Sequence, residues 1–141
     1  MEMNRKYLEK TLAQLEKEIG EQIYPDDISP LIGREKELTR KPLRDFTAEN
    51  LRFMIQQRYG WRFLIPMAID ILADNPFASG DYYDGDLLKA VVSVSENFWK
   101  DNQKLWFEVE EIIFESELTL QTFQQTVIPE IEKFRKNKPG E

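Results

Sequence analysis

The sequence predicts an all-α protein, a single compact domain of about six to eight helices. Three observations carry this expectation. Apolar residues recur at steps of three and four along much of the chain, the spacing of one helical face. Two segments, 63–73 and 87–94, are apolar nearly all round, as helices at the centre of a bundle are. Strict apolar–polar alternation over four or more residues, the mark of a half-buried strand, is scarce. The 141 residues fit one domain, 1–141, with no repeat, low-complexity stretch or linker dividing it. A chain of this size can bury roughly 70% of its unfolded surface, so it needs no covalent staples.

The elements follow in order. Leu8, Leu12, Leu15 and Ile19 share one helical face, with Glu9, Lys10, Glu16 and Lys17 turned outward, and Gly20 stops the helix. Tyr24-Pro25-Asp26-Asp27 reads as a turn. Ser29-Pro30 is a cap with proline at the first helical position, opening a short helix to about Thr39. Pro42 ends it, because the residue before proline avoids the helical region. Thr47 is a strong N-cap, and Glu49 in the first turn faces the positive end of the helix dipole. Phe46 and Leu51 bracket the cap as a hydrophobic staple, and Gly60 closes this helix. Pro66 is placed in the first turn of the buried 63–73 segment, where a missing amide costs nothing. Residues 78–86 form a loop. The valines of 87–94 permit a strand, but Leu87-Leu88-Lys89-Ala90 and the aspartate before it favour a helix. Phe98, Trp99, Leu105, Trp106, Val109, Ile112 and Ile113 fit one long helix or two broken near Asp101-Asn102. Leu118, Leu120, Phe123, Val127, Ile128, Ile131 and Phe134 describe a last helix bent at Pro129, before a polar tail over 135–141. In this order, Leu64, Ile65, Ala68, Ile71, Leu72, Leu88 and Val91 are the expected deep core.

Composition narrows the chemistry. There is no cysteine and no histidine. Disulfides, thiolate nucleophiles, zinc sites and Ser-His-Asp triads therefore cannot be built. No catalytic residue, metal site or cofactor is expected. A carboxylate-pair hydrolase is conceivable, yet among 26 acidic residues nothing marks one pair as special. The net charge of -7 repels phosphate backbones, so no direct nucleic-acid partner is expected. It keeps the chain soluble, and it also attracts a basic partner. The N-terminal stretch lacks the apolar core of a signal peptide, and no apolar run approaches the ~20 residues of a membrane span. No membrane partner and a cytoplasmic location are expected.

Two groups are candidate binding residues. Asp81, Tyr82, Tyr83, Asp84 and Asp86 cluster in one loop. A calcium loop counted from Asp81 would need glutamate where Val92 stands, so that reading fails. A capped, solvated turn accounts for the loop; so does a protein interface in which rings anchor and charges orient. Glu108, Glu110, Glu111, Glu115 and Glu117 place five negative charges within ten residues, with Glu108, Glu111 and Glu115 on one helical face. That face is either a solvated surface or an electrostatic surface for a basic partner. Trp61, Trp99 and Trp106 are either core residues or interface anchors.

The run Lys41-Pro-Leu-Arg-Asp-Phe-Thr-Ala-Glu-Asn-Leu-Arg-Phe-Met-Ile-Gln-Gln57 resembles a motif of contact-dependent growth inhibition immunity proteins. So do Trp61-Arg-Phe-Leu-Ile-Pro-Met-Ala-Ile-Asp-Ile-Leu72, Asn75-Pro76 and Gly80-Asp-Tyr-Tyr-Asp-Gly-Asp-Leu-Leu88. Lys10-Thr-Leu-Ala-Gln-Leu-Glu16 is similar to the family's start. The likeness is strong over about 41–99 and slight in the C-terminal third. The chain departs from the family pattern near Gln56, where glycine is usual, and at Asp84, where proline is. The resemblance implies a non-catalytic protein that binds and neutralises the cognate C-terminal toxin domain of such a system, expected to be a basic nuclease, as a monomer in a 1:1 complex. The alternative is another acidic helical interaction or regulatory module with no toxin partner.

Overall fold

The computed structural model describes residues 5–24 and 33–140. The expected Pro25 turn and the Ser29-Pro30 cap lie outside the described residues. The architecture is all-α. Helices α1 (Leu12–Ile19), α2 (Gly33–Leu38), α3 (Ala48–Gln56), α4 (Trp61–Asp74), α5 (Asp86–Val92), α6 (Glu96–Asp101), α7 (Gln103–Thr122) and α8 (Ile128–Lys136) follow one another, with 3₁₀ turns at Lys6–Glu9 and Leu43–Asp45. Among the described residues there is no strand, only one antiparallel bridge between Ser79 and Asp84.

The helices start and stop where local chemistry dictates. Thr11 caps α1 in a reciprocal box with Gln14, and Gly20 ends it in the left-handed conformation at φ 73°. Leu8 therefore lies in the preceding 3₁₀ turn rather than in α1. Thr47 caps α3 the same way with Asn50, and the staple residues Phe46 and Leu51 on either side are both buried. The end of α3 corrects one expectation. The left-handed residue that ends α3 is Arg58, at φ 63°, two positions before Gly60. The amides of Arg58 and Tyr59 turn back onto the carbonyls of Ile55 and Met54, the paired bonds of a Schellman motif. Gly60 is then free to open α4, with φ 61° at its N-cap. Because α4 begins at Trp61, Pro66 falls inside the helix rather than in its first turn. The carbonyl of Arg62 loses its intrahelical donor there, and it sits beside an exposed side chain where water can replace it.

The two apolar segments stand at the centre as α4 and α5. Leu64, Ile65, Ala68, Leu72 and Val91 are buried with Leu12, Leu43, Leu51, Met54, Ile55 and Tyr59 in one core. Ile71 and Leu88, expected deep, are only partly buried. Leu87 takes the inward position of α5 instead, and Leu88, about 100° further round, falls on its edge. Ile69 does the same for Ile71 on α4.

The C-terminal part is two helices broken at Asn102, whose ψ of 52° leaves the helical region. From Gln103 the chain then runs without interruption to Lys136, because α7 passes through a π turn at Phe123–Val127 directly into α8. Proline explains the π turn. Pro129 cannot donate to the carbonyl of Gln125 and its ring would collide with it, so the backbone widens by one residue just before it. Arg135 and Lys136, read as tail, belong to α8. At 1.5 Å per residue the rod is about 50 Å long. Val109 is its one buried residue, so the half beyond α4 and α6 leaves the domain.

Candidate functional site

The loop at 79–85 is held by a buried polar knot that starts on α3. Glu49 and Arg52 are three apart and point to the same side, toward α5. Arg52 Nε donates to Glu49 Oε1 and Arg52 Nη2 to Glu49 Oε2, both at 2.6 Å. Arg34 Nη2 donates to the same Oε2 at 2.9 Å. The backbone amide of Asp81 donates to Glu49 Oε1 at 2.9 Å, tying the loop to the knot. Arg52 Nη1 reaches Gln56 Oε1 at 2.5 Å. The hydrogen bond from Arg52 is the largest influence pulling the Glu49 carboxyl down to about 2, against the opposing effect of burial. The same bond raises Arg52 above its ordinary value.

Asp86 closes the loop from its other end. Its carboxylate accepts from the amides of Gly80 at 2.6 Å, Tyr82 at 3.1 Å and Tyr83 at 3.4 Å, and it lies 4.0 Å from Arg52 Nε. The sequence predicts Asp86 as a helix cap within a solvated or interface loop. It is only 4% exposed, and Gly85 at φ 96° holds the N-cap position. Its acceptor capacity is directed into the loop's own backbone. Gly80 shows how close this packing is. A Cβ there would stand 2.4 Å from Glu49 Oε1 and 3.1 Å from the Glu49 backbone.

Above the knot, Asp81, Tyr82, Tyr83 and Asp84 are all exposed. Tyr82 is 70% and Tyr83 51% exposed. The Tyr82 ring covers the Arg52 guanidinium at 4.6 Å, so Arg52 supports it from below. Tyr82, Tyr83 and Asp86 also line a cleft of about 630 Å³ together with Arg52, Trp61 and Lys89.

The second group lies elsewhere. Glu108, Glu111 and Glu115 rim a cleft of about 1260 Å³ between α4 and α7, floored by Phe63, Pro66, Ile69 and Ile112. No residue lines both clefts. The two groups are thus separate surfaces, each brought together within itself. The acidic rim is partly compensated, since Arg5, Arg62 and Lys104 line the same cleft and Lys104 lies 4.0 Å from Glu108. Arg5 is itself paired with Asp70. Of the tryptophans, Trp61 and Trp99 pack against the core and donate to the carbonyls of Ile55 and Val94, whereas Trp106 is 42% exposed. Among the described residues no cluster of three or more carboxylates is arranged to hold a metal, and no helix is long and apolar enough to cross a membrane.

Glu49 and Arg52 were missed as site residues. Their i, i+3 spacing is that of an ordinary surface ion pair, and only Gly80, an otherwise unexplained glycine in a polar loop, hinted at a close approach.

A family model described as CDI immunity proteins matches residues 14–109. No curated protein matches the chain.

Proposed function

The chain belongs to the family of CDI immunity proteins, and on that premise we propose that it binds the cognate toxin domain of a contact-dependent growth inhibition system and neutralises it without catalysis. The toxin is a basic domain, with a nuclease as the expected activity. The immunity protein acts in the cytoplasm, one chain to each toxin chain, touching neither nucleic acid nor membrane itself.

The observation that carries the choice of surface is the loop at 81–84. Two tyrosines and two carboxylates stand in solvent on a backbone fixed from beneath by Glu49 and Asp86. Aromatic side chains held in place lose little entropy on binding and are favoured interface anchors. The carboxylates beside them complement a surface built to hold phosphate, which must be positive. The acidic rim of Glu108, Glu111 and Glu115 is a second surface for the same basic partner, acting mainly on the rate of encounter.

The test is co-expression with candidate toxin domains of such systems, scored by survival and co-purification. Tyr83→Ala should then weaken the purified complex by about 30-fold or more, the scale of an anchor residue worth 2 kcal/mol. Full protection and unchanged affinity with Tyr83→Ala and Asp84→Lys combined would exclude the loop. Survival without any physical complex would exclude binding as the mode of protection.

A further inference from the structure

The rod beyond Val109 is unexplained by anything above. The family match stops at residue 109. From there to the C-terminus no described residue is buried. Yet this segment is not a polar tail. Phe114, Leu118, Leu120, Phe123, Val127 and Phe134 are all exposed, Phe134 at 77%. Each covered aromatic ring removes about 150–250 Å² from water. At about 100° per residue Phe114 and Leu118 lie on one side of α7 and Leu120 and Phe123 on the other, and Leu120, Phe123 and Val127, at steps of three and four, form the apolar face of the rod's middle.

The charges along the rod are sorted. Glu108, Glu110, Glu111, Glu115 and Glu117 lie on its first half. Residues 118–129 contain no charge at all. Lys133, Arg135, Lys136 and Lys138 lie at its end, against Glu130 and Glu132. A second copy of the same rod, laid antiparallel with the uncharged middles together, brings each acidic half against the other's basic end. With Thr122 at the midpoint, Glu111 lies level with Lys133 and Glu108 with Lys136. A parallel arrangement would set like charges side by side.

We propose that the rods of two chains pair in this antiparallel way, so that the protein is a twofold dimer through α7, the π turn and α8. Such an isologous contact closes on itself and covers the face of Leu120, Phe123 and Val127 on both chains. It replaces the expected monomer and leaves the loop at 81–84 free on each protomer, so a dimer carries two toxins through the loops alone, because Glu108 and Glu111 then face the partner rod rather than the toxin. The proposal does not depend on the toxin reading, because the partner is the chain itself.

The experiment is sedimentation equilibrium of the full chain alone, from low to high micromolar concentration. Twice the 16.8 kDa chain mass is expected. Leu120→Glu with Phe123→Glu places carboxylates in the uncharged middle and should give a monomer with unchanged helical circular dichroism. Lys133→Glu with Lys136→Glu should weaken the dimer at least tenfold. Adding Glu108→Lys and Glu111→Lys to that pair should restore it, because the charges are exchanged rather than lost. A monomer throughout the concentration range overturns the proposal. So does a dimer that survives Leu120→Glu with Phe123→Glu, since its contact then lies elsewhere. Failure of the charge exchange to rescue overturns the antiparallel register. A chain that is monomeric alone, but whose rod gains hydrogen-exchange protection when toxin is bound, assigns the rod to the toxin instead.

Discussion

A single side chain, Glu49, carries much of what holds the candidate site together. It was read as an acid in the first turn of α3, favourable to the helix dipole, and it occupies that position. Its larger role is to receive Arg52, Arg34 and the amide of Asp81. With side-chain exposures of 7% and 9% for Arg52 and Glu49, removing Arg52 strips the buried Glu49 carboxylate of two of its hydrogen bonds and leaves it only Arg34 and the Asp81 amide. Arg52→Leu should therefore destabilise by about 3–5 kcal/mol in urea titration. A pH dependence follows from the same pair. The folded carboxyl sits at about 2 against an ordinary 4.5. The ionised form is preferred in the folded chain, so the contribution is complete above about pH 5 and is lost as pH falls from 4.5 toward 2. Glu49→Gln should flatten that part of the stability profile; an unchanged slope would contradict the pairing. Thr47→Ala, which removes the cap on Asn50 N, should cost about 1 kcal/mol in the same titration. It should leave toxin affinity unchanged where the protein stays folded.

At the scale of the element, α4 is the helix on which the others lean. It packs against α3, α5 and α7. Leu72 on its inner face is fully buried. Leu72→Ala should cost about 2–5 kcal/mol, combining lost transfer energy with the cavity left behind. The loop between α4 and α5 depends on the absence of a side chain at one position. Gly80→Ala would press a methyl into the Glu49 carboxylate and, behind it, the α3 backbone. The carboxylate can swing away only by releasing Arg52 or the Asp81 amide. A loss of about 1–3 kcal/mol is expected by thermal melt, together with weaker toxin binding if the loop is the contact surface. The boundaries that sequence reading placed correctly, Thr47 and Gly20, are those made by a residue acting on its own immediate backbone. The displaced ones, at Gly60 and Pro66, turned on Arg58 adopting a conformation usually left to glycine.

Across the whole molecule, net charge and its placement decide how the chain meets other proteins. The -7 charge acts at long range whichever surface makes contact. Association with a basic toxin should therefore slow as salt rises, since the screening length shrinks to about 3 Å at 1 M. Reversing Glu111 and Glu115 should reduce the on-rate more than it raises the off-rate, as charges at a rim do. Stopped-flow or surface-based kinetics from low to high salt measures both. An on-rate indifferent to salt would mean that recognition is mainly apolar. A standard interface buries about 1,600 Å² in total, which the loop at 81–84 reaches only together with neighbouring α3 or α5 surface.

The sequence by itself determined the helical class, the central place of 63–73 and 87–94, the caps at Thr47 and Gly20, and the family through the order of its motifs. Each of these is a local or periodic property: a hydroxyl reaching an amide three residues on, or apolar residues returning every turn. Only the tertiary structure decided that Glu49, Arg52 and Asp86 belong together, since residues 34 positions apart meet only when α5 packs on α3. It also decided that the two acidic groups form separate surfaces. And it decided that Phe114, Leu118, Leu120 and Phe123 stay exposed among the described residues, although Ile112 and Ile113 just before them pack against the core. A run such as Leu120, Phe123 and Val127 has the same periodicity whether it is covered or bare, and burial depends on what the rest of the fold brings alongside.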